Sequence, residues 1–121
     1  MTMNVRYIVT DMDEAVEFYQ DHLGFEIQMR PGPGFAALTK DGGRLLLNVP
    51  GAGGAGIAGG EPVPGGWNRL QLEVDDLDTI EQRLRSAGVS FRGERVTGQG
   101  GDQILVEDPS GNPVELFQPA R

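Results

Sequence analysis

The sequence predicts an α+β domain built from two βαβββ halves. Three observations lead there. A short motif recurs at one fixed offset, each copy runs into a helical pattern that stops at a glycine, and three short strand patterns follow each glycine.

The recurring motif comes first. Ile8-Val9-Thr10-Asp11-Met12-Asp13 stands against Leu72-Glu73-Val74-Asp75-Asp76-Leu77-Asp78. Val9, Asp11, Met12 and Asp13 match Val74, Asp76, Leu77 and Asp78 at an offset of 65 (74 − 9). Strand patterns precede the aspartates, from Asn4 to Val9 and from Trp67 to Asp75. Asp11 and Asp76 are natural helix N-caps, with Asp13 and Asp78 as rivals inside the first turn. Ala15, Val16, Phe18, Tyr19 and Leu23 then recur at helical spacing, as do Ile80, Leu84 and Ala87. Gly24 and Gly88 end the helices, where a left-handed residue is expected.

The strands after Gly24 are Phe25–Met29, Phe35–Thr39 and Arg44–Val49; those after Gly88 are Val89–Phe91, Gln103–Glu107 and Pro113–Gln118. Asp41-Gly42-Gly43 and Asp108-Pro109-Ser110-Gly111-Asn112 supply the last hairpin turns. Pro50 and Pro119 close the final strands at an offset of 69 (119 − 50). The halves therefore run 4–50 and 67–119. Between them, Gly51–Gly66 has eight glycines in sixteen residues. It reads as a flexible connection, with a flap over a pocket as the alternative. It lacks the Gly-Lys-Ser/Thr ending of a phosphate loop.

At 121 residues the chain holds one core's worth of residues. No run approaches the ~18 apolar residues of a membrane span, and the N-terminus does not read as an export signal. The absence of cysteine rules out disulfides and thiol chemistry and fits a cytoplasmic protein. A formal charge of −8 repels polyphosphate, so neither nucleic acid nor an anionic membrane is the expected partner. A neutral or cationic small molecule suits that field.

Tyr19-Gln20-Asp21-His22-Leu23-Gly24-Phe25-Glu26, with Glu107-Asp108-Pro109-Ser110-Gly111-Asn112-Pro113-Val114-Glu115-Leu116-Phe117, resembles the vicinal oxygen chelate superfamily. That superfamily includes glyoxalases, bleomycin-resistance proteins and extradiol dioxygenases. The resemblance spans nearly the whole chain and implies a single domain over 1–121. It also implies that the mixed sheet of each half curls into a shared cup with helices outside, usually in a homodimer.

In the family's metal enzymes the ligands come from the first and last strands of each half. Carried over position by position, these fall on Asn4, Leu46, Arg69 and Glu115. The repeat agrees for the first strands, since 69 − 4 is 65, and its offset of 69 is what places Leu46 from Glu115. Only Glu115 is a competent ligand. Leu46 has no donor atom, and the permanently protonated Arg69 places a positive charge in a ligand position. The one histidine, His22, falls in the last turn of the first helix, where the helix dipole favours a cation and a solvated histidine is the expected state. No metal and no other cofactor is therefore expected.

With the ligand-equivalent positions pointing inward, strand alternation turns Asn4, Arg6 and Ile8 to the cup, with Arg69, Gln71 and Glu73 in the second half. The closing strands add Leu46 and Asn48, then Glu115 and Phe117. Val5, Tyr7, Val9, Leu70, Leu72 and Val74 go to the core. Arg69 and Glu115 are expected to pair, either as a plug of the vacated metal site or, with Gln71, Glu73 and Asn48, to orient a polar ligand. Trp67 and Phe35 offer flat surface for a planar ligand, or serve ordinary packing or a dimer contact.

The leading expectation is a metal-free, bleomycin-resistance-like protein that binds a small organic molecule, cationic or aromatic, and sequesters a drug without altering it. The alternatives are a glyoxalase-type lyase, isomerase or epimerase with Glu115 or Glu73 as carboxylate base, and an interaction module with no small ligand.

Overall fold

The computed structural model describes residues 1–52 and 59–121. Residues 53–58 of the expected Gly51–Gly66 connection, and with them the choice between linker and flap, lie outside the described residues. Two units emerge, Met1–Gly65 with Pro109–Asn112, and Gly66–Asp108 with Pro113–Arg121.

The first unit contains β1 (Val5–Ile8), α1 (Met12–Leu23), β2 (Glu26–Gly32), β3 (Phe35–Lys40) and β4 (Gly43–Asn48). Its sheet runs β1-β4-β3-β2, with β1 parallel to β4 and the other pairs antiparallel. The second unit repeats the plan with β5 (Leu70–Glu73), α2 (Leu77–Ser86), β6 (Ser90–Thr97), β7 (Gly101–Glu107) and β8 (Pro113–Pro119), in the order β5-β8-β7-β6. This is the expected doubled βαβββ, as two four-stranded mixed sheets. The ladders carry both offsets. Arg6 lies opposite Leu46 and Gln71 opposite Glu115, 65 and 69 residues on.

Both helices start at the expected caps, Asp11 and Asp76. Asp11 accepts from the backbone N–H of Glu14 at 3.0 Å, and Asp76 from that of Thr79 at 3.1 Å. The rival aspartates do other work: Asp13 pairs with Arg30 on β2, and Asp78 with Arg95 on β6. These ion pairs are themselves a repeat, at the offset of 65 (95 − 30). Gly24 and Gly88 take left-handed backbone, at φ 74 and 77. After α2 the chain turns as a Schellman motif, in which Val89 N–H reaches Leu84 O and Gly88 N–H reaches Arg85 O.

Burial follows the alternation in part: of the six strand residues expected in the core, Tyr7 and Val9 are buried, while Val5, Leu70, Leu72 and Val74 are half-buried. In the first unit Tyr7, Val9, Ala36, Leu38, Leu45 and Leu47 are buried, with Ala15, Val16, Phe18, Tyr19 and Leu23 of α1. In the second, Ile104, Val106, Val114 and Leu116 are buried, with Leu77 and Leu84 of α2. Burying one such side chain contributes about 1.5–3 kcal/mol, so these stripes carry each unit.

Three expectations need correction. Asn4 lies ahead of β1, and Trp67 and Arg69 lie ahead of β5. Pro113 has no N–H to offer the ladder, and β5 pairing begins opposite Val114. The strand expected to end at Phe91 continues to Thr97. Gly93, at φ 79, absorbs a bulge, and pairing resumes at Val96 opposite Gln103. His22 is half-buried, and its ring meets Phe18 edge-on at 5.6 Å.

Candidate functional site

Residues directly opposite on neighbouring strands project from the same face. The second sheet therefore displays Gln71, Glu115, Leu105 and Arg92 as one row across all four strands. The next row is Glu73, Phe117, Gln103 and Val96. This face is predominantly polar, and the other carries the apolar stripe.

Its centre is Glu115, buried to 7 % exposure. The Nε and Nη2 of Arg69 both lie 3.0 Å from Oε1, and Nε2 of Gln71 donates to Oε2 at 2.6 Å. Arg69 also donates from Nη1 to the carbonyl of Trp67 at 3.3 Å. The expected pairing of Arg69 and Glu115 is present, and Gln71 completes it. A buried carboxylate left alone would cost several kcal/mol, so each oxygen needs its donor.

A second arginine was missed by the sequence reading. Arg92 donates from Nε and Nη2 to Oε2 of Glu107 at 3.0 and 2.8 Å, and its guanidinium lies 4.6 Å from the ring centroid of Trp67. The glycine bulge beyond it hid the length of β6, and so the face on which Arg92 stands. Glu73 and Phe117 are placed side by side, the first exposed and the second half-exposed.

The corresponding face of the first sheet is different in character. Arg6 donates from Nη1 to Oδ1 of Asn48 at 2.7 Å, and the Nδ2 of Asn48 donates to the carbonyls of Val49 and Ala52. Asn48 is fully buried, with its amide committed to its own chain. Phe35 lies opposite Asn48, and Ala37 opposite Leu46, so beside Arg6 and Asn48 the face is largely apolar. Asn4 is exposed. Within this unit Asn112 donates to the carbonyl of Ile8 at 2.8 Å and accepts from Gly65 N–H at 2.7 Å, while Ser110 Oγ accepts from Thr10 N–H at 2.9 Å. The turn residues of the motif are thus structural fasteners.

The donor set at the four metal-ligand positions does not fit a divalent cation. Asn4 offers a single neutral amide oxygen, Leu46 is a hydrocarbon, Arg69 is a cation, and both oxygens of Glu115 already accept hydrogen bonds.

Elsewhere, charge fixes the scaffold. Hydrogen bonds from Arg95, then Thr97, hold the Asp102 carboxyl below its ordinary range. The hydroxyl and then the backbone N–H of Thr79 do the same for Asp76. Arg95 is pushed up by its bonds to Asp78 and Asp102.

Residues 3–116 match the model of the Glyoxalase/Bleomycin resistance protein/Dioxygenase superfamily. The chain belongs to this family. The doubled βαβββ frame and the two offsets are how that membership is written into the coordinates. Among solved structures, this glyoxalase/bleomycin-resistance family chain is similar to TnmS3, an antibiotic binding protein from Streptomyces sp. CB03234. The two are 28% identical, 99% of this chain and 98% of that one are covered, and the TM-score is 0.72. It is similar also to a superfamily member from Sphaerobacter thermophilus DSM 20745, at 26% identity, 98% and 96% coverage and a TM-score of 0.78. Lactoylglutathione lyase from Agrobacterium tumefaciens shares the fold at 21% identity, with 98% and 92% coverage and a TM-score of 0.79. Proteins of curated function gave no match.

Proposed function

We propose that this chain is a metal-independent member of the family that binds a small organic molecule and holds it unaltered, in the manner of a drug-sequestering protein. The polar face of the second sheet is the ligand surface in this reading, with Trp67, Arg69, Gln71, Glu73, Glu115 and Phe117 as its residues. In the first unit, taken by itself, the ligand-side candidates are Asn4, Arg6, Phe35 and Asn48. The observation that carries it is the Arg69–Glu115–Gln71 cluster. The family position best able to ligate a cation is closed by a tethered guanidinium, which leaves hydrogen bonding and shape as the means of recognition. The likeness to an antibiotic binding protein over the full length supports the same class of ligand. A net charge of −8 favours a neutral or cationic one. The protein acts in the cytoplasm as a homodimer.

The test is a thermal-shift and calorimetric screen of tag-free protein, dialysed against EDTA, with cationic glycopeptide and polyaromatic antibiotics. A ligand at one hundred times its Kd stabilises by about 2.7 kcal/mol, a rise of several degrees in Tm. The bound compound is then recovered and weighed. Intact mass supports sequestration; a uniform absence of shifts refutes it.

A second reading is favoured by Glu73. Its carboxylate has no partner among the described residues and stands on the same face as Gln71. A glyoxalase-type lyase, isomerase or epimerase would use it as the base, since Glu115 is committed. Altered compound mass that depends on Glu73 would establish this reading in place of the first.

A further inference from the structure

Gly66 and Trp67, on the approach to β5, are held more firmly than exposed connecting residues need to be. Arg92 Nη1 donates to the carbonyl of Gly66 at 2.7 Å, while the same guanidinium lies against the Trp67 ring at 4.6 Å. Its Nε and Nη2 are anchored to one oxygen of Glu107. From the other side, Arg69 Nη1 donates to the carbonyl of Trp67 itself, and Arg69 is anchored to Glu115. The tryptophan is thus gripped at its ring, at its own carbonyl and at the carbonyl before it. Even so it remains 69 % exposed.

Those facts conflict with two of the ordinary roles of a large aromatic, the third being a dimer contact. A packing tryptophan is covered, and a tryptophan in a slack connection has no reason to engage two ion-paired arginines. An indole immobilised on one side and wet on the other is instead arranged for stacking. Its ordering cost is met before any ligand arrives, which is the effect of preorganisation on affinity. The local charge selects the partner. Arg92 and Arg69 are each neutralised by a glutamate, so neither leaves an uncompensated positive charge beside the ring, and the chain as a whole carries a formal charge of −8. The negative π-face of the indole favours a cation as well.

We infer that Arg92 is a positioning residue that holds Trp67 as a preformed platform for a planar aromatic cation. The inference rests on reading the polar face of the second sheet as a ligand surface. It adds the residue that prepares that face and the shape of the ligand that uses it.

Trp67 is the only tryptophan, so its emission reports the platform directly. The probes are proflavine, a planar aromatic cation, and tetraethylammonium, a cation of equal charge that cannot stack. In the wild type proflavine binds by calorimetry and quenches Trp67, about tenfold or more tighter than tetraethylammonium. In Arg92→Gln without ligand, acrylamide quenching of Trp67 rises roughly twofold, and proflavine binding weakens about fivefold or more. Arg92→Lys keeps the charge opposite Glu107 but not the planar fork. It gives intermediate values and serves if the glutamine variant does not fold. Unchanged quenching and unchanged proflavine affinity in the Arg92 variants overturn the inference, as does equal affinity for the two cations. Antibiotics that still bind Trp67→Ala as tightly as wild type also overturn it, while leaving the proposed function in place. Proflavine stacking in a protein that binds no antibiotic supports the platform and removes the proposed function.

Discussion

Gln71 and Glu115 stand directly opposite one another on the parallel β5–β8 ladder, and the Gln71 amide donates to Oε2 of the buried carboxylate at 2.6 Å. The other oxygen belongs to Arg69, whose side chain is 29 % exposed. Arg69→Ala therefore strips one oxygen of its donors but lets water approach. It is expected to cost about 1–3 kcal/mol of stability. A urea-denaturation cycle with Glu115→Gln should show a coupling of about 0.5–3 kcal/mol. Strictly additive losses would mean that the pair holds nothing together.

The whole βαβββ plan and the ends of both helices were legible because they rest on local chemistry. Aspartate caps, left-handed glycines and period-2 alternation need no knowledge of the rest of the chain. The Arg69–Glu115 pair was legible too, once the repeat fixed the positions of both residues. Arg92 was not, since the strand pattern read from sequence ends at Phe91, just before a glycine bulge that the β6–β7 ladder in fact crosses. The ion pairs Asp13–Arg30 and Asp78–Arg95 were hidden for a different reason. A helix-capping motif offers two aspartates, and only the strand packed beside the helix decides which one caps. The matching offset of Arg30 and Arg95 was the available signal.

Asn48 is fully buried and uses both ends of its amide, accepting from Arg6 and donating to Val49 and Ala52. Asn48→Ala leaves two carbonyls and a guanidinium to find new partners. A loss of about 1–3 kcal/mol is expected in chemical denaturation. A stability within error of wild type would show that water replaces the amide.

Gly101 and Gly42 separate backbone strain from collision. At Gly101 (φ 145) a Cβ would lie 2.1 Å from the carbonyl oxygen of Gln118 and 2.9 Å from the Cα of Pro119, both backbone atoms. At Gly42 (φ 85) a Cβ would meet nothing within 4 Å. Gly42→Ala should cost about 1–2 kcal/mol from the left-handed backbone alone. Gly101→Ala should cost more, about 3 kcal/mol or above, because the β7–β8 ladder must shift. Equal Tm values for the two variants would contradict this.

The acid limb of the stability curve should belong partly to Asp102 and Asp76. Folding lowers both carboxyls below the ordinary 3.8, so the unfolded chain binds their protons more tightly. Their contribution is complete above 3.8 and disappears as pH falls through the lower folded values. The stability gap between wild type and Asp102→Asn should be constant from about pH 7 to about pH 5 and narrow below 3.8. A gap that widens on acidification would reverse the sign of the argument.

Divalent ions should leave ligand binding untouched. Calorimetric affinities before and after EDTA treatment, and with added Zn²⁺, Ni²⁺ or Mn²⁺, should agree within error. A tenfold gain on adding any one of them, equivalent to about 1.4 kcal/mol, would contradict the closed state of Glu115.

Leu46 and Glu115 are topological twins, opposite Arg6 and Gln71 on matching parallel ladders, yet one is hydrocarbon and the other an anion. A duplicated framework separates two demands that a single copy must reconcile. Because each half builds its own ladder from backbone pairing, substitution at one twin changes recognition without disturbing the hydrogen bonds that define either sheet. Divergence can thus retune one half of such a molecule while its counterpart stays as it was.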